Sequence, residues 1–142
     1  MKNKNVFWFF GVCASFLIMG CTSAVPYSFA ENESRTATIT FTGTKNFGVD
    51  LFYYEGIELP IPKKSEYWNP VTFPAGRPFT LTVGVYNSET ERGDEVTFNC
   101  PALAAGRDYR LEAKKPYFGK VNRLVLTDMN TRAVVYEQQV GR

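Results

Sequence analysis

The sequence predicts an all-β fold, an antiparallel β-sandwich of about eight strands that follows an N-terminal signal peptide. Three observations predict it. Short segments alternate apolar and polar residues, which is typical of strands with one buried face. Turn-forming residues separate these segments, and short strands spaced in this way favour a sandwich or a barrel. No helical pattern of ten residues occurs after the N-terminal region.

Each predicted strand is a short segment with an apolar face or a β-rich composition. In the first, Ala37, Ile39 and Phe41 alternate with threonines, so that one face is apolar and the other polar. The predicted strands, in chain order, are Arg35–Thr42, Val49–Tyr54, Val71–Phe73, Phe79–Tyr86, Glu95–Cys100, Tyr109–Ala113, Val121–Thr127 and Ala133–Gln138. The last two are joined through residues 128–131, which predict a hairpin connection.

A local pattern between two of these strands narrows the fold. Leu103, Gly106 and Tyr109 form Leu-x-x-Gly-x-x-Tyr, which resembles the tyrosine corner of fibronectin type III domains. The longer stretch 98–117 is similar to transthyretin-like domains of bacterial surface proteins. These resemblances imply an immunoglobulin-like or transthyretin-like sandwich, in which the glycine allows a tight corner and the tyrosine hydroxyl returns to upstream backbone. Residues 75–81 match residues 105–111 at four identical positions, which predicts a second turn of the same kind.

The N-terminal region reads as a targeting signal. Lys2 and Lys4 precede an apolar run over Val6–Met19, which is too short to cross about 30 Å of hydrocarbon as a helix. The run therefore fits the apolar region of a secretory signal peptide. The ending Ile18–Cys21 resembles the lipobox of bacterial lipoproteins. That resemblance implies cleavage before Cys21, a diacylated sulfur on Cys21 and acylation of the new amine.

These segments divide the chain into three parts. Residues 1–20 are the predicted signal peptide, residues 21–34 an acylated cysteine with a flexible tether, and residues 35–142 the β-sandwich domain. Thr22 follows the cysteine where an aspartate would, by the lipoprotein resemblance, favour the inner membrane. The expected location is the outer membrane, with the domain in the periplasm or at the cell surface.

Charge argues against nucleic acid as a partner. The full chain has 16 Lys and Arg against 14 Asp and Glu, and removal of Lys2 and Lys4 leaves 14 of each. A balanced chain has no general electrostatic attraction for nucleic acid. The expected membrane contact is through the N-terminal acyl chains.

The residue types argue against an enzyme. The chain has no histidine, which excludes Ser–His and Cys–His nucleophile systems. Cys100 is the one thiol outside the leader and the lipobox, and its place on an apolar strand face predicts a buried position. The acidic segment 87–95 lacks the ligand order of a calcium loop, so a solvated hairpin is expected and no metal or cofactor. A pair of glycosidase carboxylates stays open, although nothing singles one out.

Two surface features are candidates for binding. Tyr53, Tyr54, Tyr67 and Trp68 flank a proline-rich segment over residues 55–70, and these aromatic side chains would stack on a sugar or anchor a protein partner. The alternative is that they cover the core beneath the segment. The other feature is a basic stretch over residues 107–123, which predicts either ordinary cross-strand ion pairs or a contact with an anionic partner.

The sequence thus predicts a lipid-anchored envelope protein that acts by binding. The leading hypothesis is an accessory or structural subunit of a cell-envelope assembly, with an envelope protein or a glycan as partner. The alternative is a carbohydrate-recognition or enzyme-inhibitor module displayed on the membrane.

Overall fold

The computed structural model describes residues 22–42, 47–87, 90–115 and 121–140, and these residues form ten strands and no helix. The strands are β1 (Ser23–Ser28), β2 (Thr36–Thr42), β3 (Phe47–Tyr54), β4 (Ile57–Glu58), β5 (Glu66–Pro74), β6 (Phe79–Asn87), β7 (Thr90–Cys100), β8 (Asp108–Lys114), β9 (Arg123–Asp128) and β10 (Val134–Gln139). They form a six-stranded sheet in the order β1-β5-β2-β8-β9-β10 and a four-stranded sheet in the order β4-β3-β6-β7. The predicted all-β sandwich is confirmed.

The core lies between the two sheets, on the apolar faces that the alternation predicted. In β2 and β8 every second side chain is buried, and Ile39 and Leu111 are fully excluded from solvent. The largest side chains with no more than 2% exposure are Phe73, Phe98, Ile39, Leu81, Leu103, Leu111, Leu124 and Leu126. Burial of each stabilises the fold by about 1.5–3 kcal/mol relative to leaving it exposed. Cys100 belongs to this core, as predicted.

The tyrosine corner also forms as predicted. The Tyr109 hydroxyl accepts a hydrogen bond of 2.9 Å from the Ala104 N–H, and Leu103 is buried below it. Gly106 has a φ of 74° and Gly76, in the similar turn, a φ of 89°. The two turns touch, because the Gly76 N–H donates to the Leu103 carbonyl at 2.9 Å. We call this end of the sandwich the corner end.

The structure differs from the prediction in strand count and in direction. It adds β1 and β4, and it pairs β1 with β5 and β2 with β8 in parallel, within a sheet predicted to be antiparallel. Neither added strand shows clear alternation, since β1 is an edge strand with no fully buried residue and β4 has two residues. Pro26, which has no N–H to donate, is compatible with such an edge.

The predicted flexible tether is wrong over residues 23–28. These residues form β1, and the chain continues against the core through Phe29. The physical reason is the two aromatic residues of this segment. Tyr27 packs on Trp68 with ring centroids 5.1 Å apart, and Phe29 packs on Tyr54 at 4.8 Å. Their burial against the sandwich offsets the entropy lost on ordering the segment.

Register places the start of β1 at the end of the sandwich opposite the corner end. Ser23 pairs with Glu66 at the start of β5, whereas β5 ends near Arg35 and the corner turns. Because β2 and β8 run parallel to each other and antiparallel to β5, Lys114 and its partner Arg123 lie at the same end as Ser23. We call this the β1 end.

Two side chains complete the strand ladders. The Asn69 amide donates to the Phe41 carbonyl at 2.9 Å and accepts from the Phe41 N–H at 3.0 Å, so it replaces backbone where regular pairing of β2 with β5 stops. The Gln138 amide, on β10, donates to the Thr97 carbonyl at 2.6 Å and accepts from the Asn99 N–H at 2.9 Å. This second amide joins the edge of β7 to the other sheet.

Candidate functional site

An open cleft of about 410 Å³ lies on the outer side of the small sheet, beside the segment 59–65 that crosses to β5. Its lining residues are aromatic, proline and acidic: Asp50, Leu51, Phe52, Tyr53, Glu58, Leu59, Pro60, Ile61, Pro62, Tyr67, Trp68 and Glu95. A cleft of this size fits a few sugar units or a short stretch of peptide.

The aromatic floor of the cleft depends on a bulge in β3. Leu51 pairs with the buried Val83, but Tyr53 pairs with Thr82, so that Phe52 is an extra residue in the ladder. Both Phe52 and Tyr53 are half-buried and line the cleft. A bulge of this kind re-aims side chains, and here it turns two neighbouring aromatic residues to the same side of the sheet.

The Phe52 ring packs closely against Gly84. A Cβ at residue 84 would overlap the Phe52 Cζ and would lie 2.6 Å from the Phe52 Cε2. The absence of a side chain at residue 84 therefore leaves room for the tip of the ring beside the backbone of β6. A glycine inside a strand often marks such a close approach.

Trp68 and Tyr67 form the wall of the cleft from the start of β5. The Trp68 Nε1–H donates to the Pro60 carbonyl at 2.6 Å, which ties the proline-rich segment to the sandwich. The indole also packs on Tyr27, so Trp68 is half-buried and held on two sides. Tyr67 is 44% exposed and is free to contact a ligand.

Three carboxylates surround the aromatic floor. Asp50 and Glu95 both pair with Gly84, one from β3 and the other from β7, so they flank the Phe52 ring. Glu58 adds a third from β4, and no ion pair involves any of the three within the part of the chain that the structure describes. Desolvation raises the pKa of Asp50 above its usual range, although its side chain still reaches solvent. Burial and the Asp50 charge likewise raise the pKa of Tyr86 on the same sheet.

The structure brings together three of the four predicted aromatic residues. Tyr53, Tyr67 and Trp68 line the cleft. Tyr54 does not, and its prediction as a ligand-binding residue is wrong: it is 5% exposed and packs on Phe73 and other core rings. Burial raises its pKa, and its hydroxyl accepts a hydrogen bond of 3.1 Å from Arg77. Tyr67 and Trp68 also stand on a strand, where the sequence predicted a loop.

Sequence reasoning missed Phe52 and the three carboxylates. Nothing in the local pattern marks the bulge that brings Phe52 to the cleft, but Gly84 inside a strongly alternating strand was a usable signal. Cys21 and the loop residues 116–120 lie outside the described residues.

Other predicted features behave as ordinary structure. Burial raises the pKa of the Cys100 thiol to about 12, so this thiol stays protonated. In the basic stretch, Arg107 pairs with Asp128 at 2.8 Å, and Arg110 and Lys114 both pair with Glu112. These contacts favour the interpretation of the stretch as a surface with local ion pairs.

Asp128 is held charged in the corner-end hairpin. Desolvation acts to raise its pKa, but backbone N–H groups of Thr131 and Asn130 and the Arg107 guanidinium together hold the pKa below its usual range.

Across the described ranges, no group of three or more Cys, Asp or Glu side chains is placed to hold a metal ion. Within those ranges there is also no helix with the length and apolar character needed to span a membrane.

Comparison with protein-family models, with curated proteins and with solved structures gives no match to this chain. The functional argument therefore depends on the cleft itself. Its rings can stack on a flat apolar surface, while its carboxylates accept hydrogen bonds from hydroxyl or N–H donors. That chemistry is suited to recognition of a ligand.

Proposed function

We propose that this chain is a lipid-anchored cell-envelope protein that acts by binding, as an accessory or structural subunit of an envelope assembly, with the cleft as its binding site. The observation that carries the binding role is the meeting of Phe52, Tyr53, Tyr67 and Trp68 beside the carboxylates of Asp50, Glu58 and Glu95. Aromatic side chains at the centre of a contact contribute most of the binding energy in many interfaces. The anchor rests on the lipobox-like Ile18–Cys21.

A segment of an envelope protein is the favoured ligand. Ile61 is 92% exposed at the rim of the cleft, and Tyr67 is exposed beside it, so apolar surface continues from the cleft onto the neighbouring segment. A rim of this kind extends the contact beyond the cleft volume, which suits a protein partner.

The cleft chemistry also supports a second candidate, a carbohydrate-recognition module. Aromatic rings beside carboxylates match the two faces of a sugar, one with C–H groups and the other with hydroxyls. A glycan would occupy the cleft alone and would make little use of Ile61.

A crosslinking experiment separates the two candidates. A photo-crosslinking residue at position 61 should capture a protein partner in intact cells, and Tyr67→Ala should abolish that capture without lowering the melting temperature. Tyr86→Ala is the matched control, because Tyr86 is an exposed tyrosine of the four-stranded sheet that does not line the cleft. Glycan-array binding lost on Tyr67→Ala, with no crosslinked protein, would favour the carbohydrate module. Capture unaffected by Tyr67→Ala and no glycan binding would refute the cleft as the site.

The anchor has its own test. Cys21→Ser should abolish incorporation of a labelled fatty acid and should leave the signal peptide uncut by the lipoprotein peptidase. Labelling that persists in this variant would refute the lipobox.

A further inference from the structure

The chain is fixed to the sandwich almost as soon as the lipobox ends. The Ser23 N–H donates to the Ser65 carbonyl at 2.7 Å, and Ala24 pairs with Tyr67. Cys21 is only two residues before Ser23, and two extended residues span at most about 7 Å. The length of the chain therefore limits the attachment point of any group on Cys21 to about 7 Å from Ser23.

We infer that the acylated protein rests directly on the bilayer, with its β1 end against anionic lipid headgroups. This inference depends on the proposed acylation of Cys21. The acyl chains would hold Cys21 at the level of the headgroups, and no slack remains to lift the domain away from them.

Basic side chains of the β1 end suit this contact. Lys63 and Lys64 lie in a turn that the Glu66 N–H closes by donating to the Lys63 carbonyl at 2.9 Å. This turn lies beside Ser23, because its Ser65 carbonyl accepts the hydrogen bond from the Ser23 N–H. Both lysines are exposed, and the described residues provide no ion pair for either. Each lysine close to an anionic surface changes the docking equilibrium by roughly fivefold.

Two further basic side chains at this end of the six-stranded sheet are ion-paired. Lys114 pairs with Glu112 at 3.4 Å and Arg123 with Glu137 at 3.1 Å, so these two contribute less positive charge to the surface. Glu66 is half-buried at the start of β5.

This placement has a consequence for the ligand. The cleft wall at Tyr67 and Trp68 pairs with Ala24 and Val25 of β1, so the cleft opens within a few residues of the membrane surface. The partner must therefore be reachable next to the lipid, as a membrane protein or a membrane-bound glycan is.

Trp68 offers a direct test, because it is the only tryptophan that remains after removal of residues 1–20. It pairs with Val25, which follows Cys21 by four residues, or at most about 13 Å of extended chain. The purified acylated protein would be reconstituted into phosphatidylcholine vesicles, with and without phosphatidylglycerol, that contain a lipid with a nitroxide on its headgroup. Quenching of Trp68 fluorescence is expected in both vesicles. Trp68 that is quenched no more than in nitroxide-free vesicles would overturn the inference.

A variant with a longer linker removes the short connection between Cys21 and β1. Insertion of about ten Gly-Ser residues between Thr22 and Ser23 gives the domain a reach of roughly 17 Å and should lower the quenching in neutral vesicles. In vesicles with anionic lipid, the linker variant should regain much of the Trp68 quenching. Lys63→Gln/Lys64→Gln in the linker variant should abolish this gain. The control Arg35→Gln/Arg132→Gln changes two exposed arginines at the corner end and should leave the gain in quenching unchanged. Equal quenching with and without the linker in neutral vesicles would overturn the inference.

Mass spectrometry of the same samples separates this inference from the anchor. An unmodified Cys21 would overturn both the proposed acylation and the docking. An acylated Cys21 with unquenched Trp68 would overturn the docking alone and leave the lipid anchor in place.

Discussion

Gly84→Ala tests the architecture of the cleft most directly. The new methyl group would occupy the place of the Phe52 ring, which would have to rotate away from the sheet. If the ring loses contact over roughly 40–60 Å², the cost at 25 cal/mol per Å² is about 1–1.5 kcal/mol. The φ of Gly84 is not positive, so alanine itself adds no backbone strain.

The substitution also has a stabilising part. Alanine in a strand interior is favoured over glycine by roughly 0.5–1 kcal/mol, because glycine loses more conformational entropy on folding. The two effects nearly cancel in the single variant. A double-mutant cycle with Phe52→Ala separates them, since the methyl group has no ring to displace in that background.

The expected coupling free energy between the two positions is about 1–1.5 kcal/mol, measured by urea denaturation of the four proteins. Gly84→Ala should therefore stabilise the Phe52→Ala protein and leave the parent unchanged or slightly destabilised. A coupling below about 0.3 kcal/mol would refute the packing of Phe52 on Gly84, because this is the usual error of additivity.

Three further predictions concern the core, the corner and pH. Tyr109→Phe should lower the free energy of unfolding by about 0.5–1.5 kcal/mol in urea titrations, because the Ala104 N–H loses its acceptor; an unchanged midpoint would refute the tyrosine corner. Tyr54→Ala should cost about 3–5 kcal/mol and Tyr67→Ala less than about 1 kcal/mol, and equal melting temperatures would contradict their assignment to core and cleft. The raised folded-state pKa of Asp50 means that its favourable contribution is present below its unfolded pKa and is lost as pH rises through the folded value. Asp50→Asn should therefore raise the melting temperature at pH 7 relative to the parent and remove this loss, and a lower melting temperature at pH 7 would contradict it.

The core strands could be predicted from the sequence because each has one face that is buried from solvent. In β2 and β8, period-two alternation corresponds directly to burial, and the tyrosine corner followed from a short motif with a definite geometry. The edge strand β1 was missed for the converse reason. Its side chains are exposed or half-buried on both faces, so its sequence has no period to detect.

The cleft was only partly predictable because a bulge reverses the alternation within β3. Val49 and Leu51 are buried, so an unbroken period would bury Tyr53 and expose Tyr54. The extra residue Phe52 inverts this order and places Tyr54 in the core. A shift of one residue moves a side chain to the other face, and no local rule in the sequence signals it.

The side chain of Gln138 affects more than the contact between two sheets. By occupying the Thr97 carbonyl and the Asn99 N–H, it removes two free backbone groups from the outer edge of β7. Open strand edges recruit strands from other molecules, and proteins avoid aggregation by covering them. The protecting side chain belongs to β10, so a variant that lacks β10 would present this part of the β7 edge uncovered. Protection of this edge thus depends on the presence of β10.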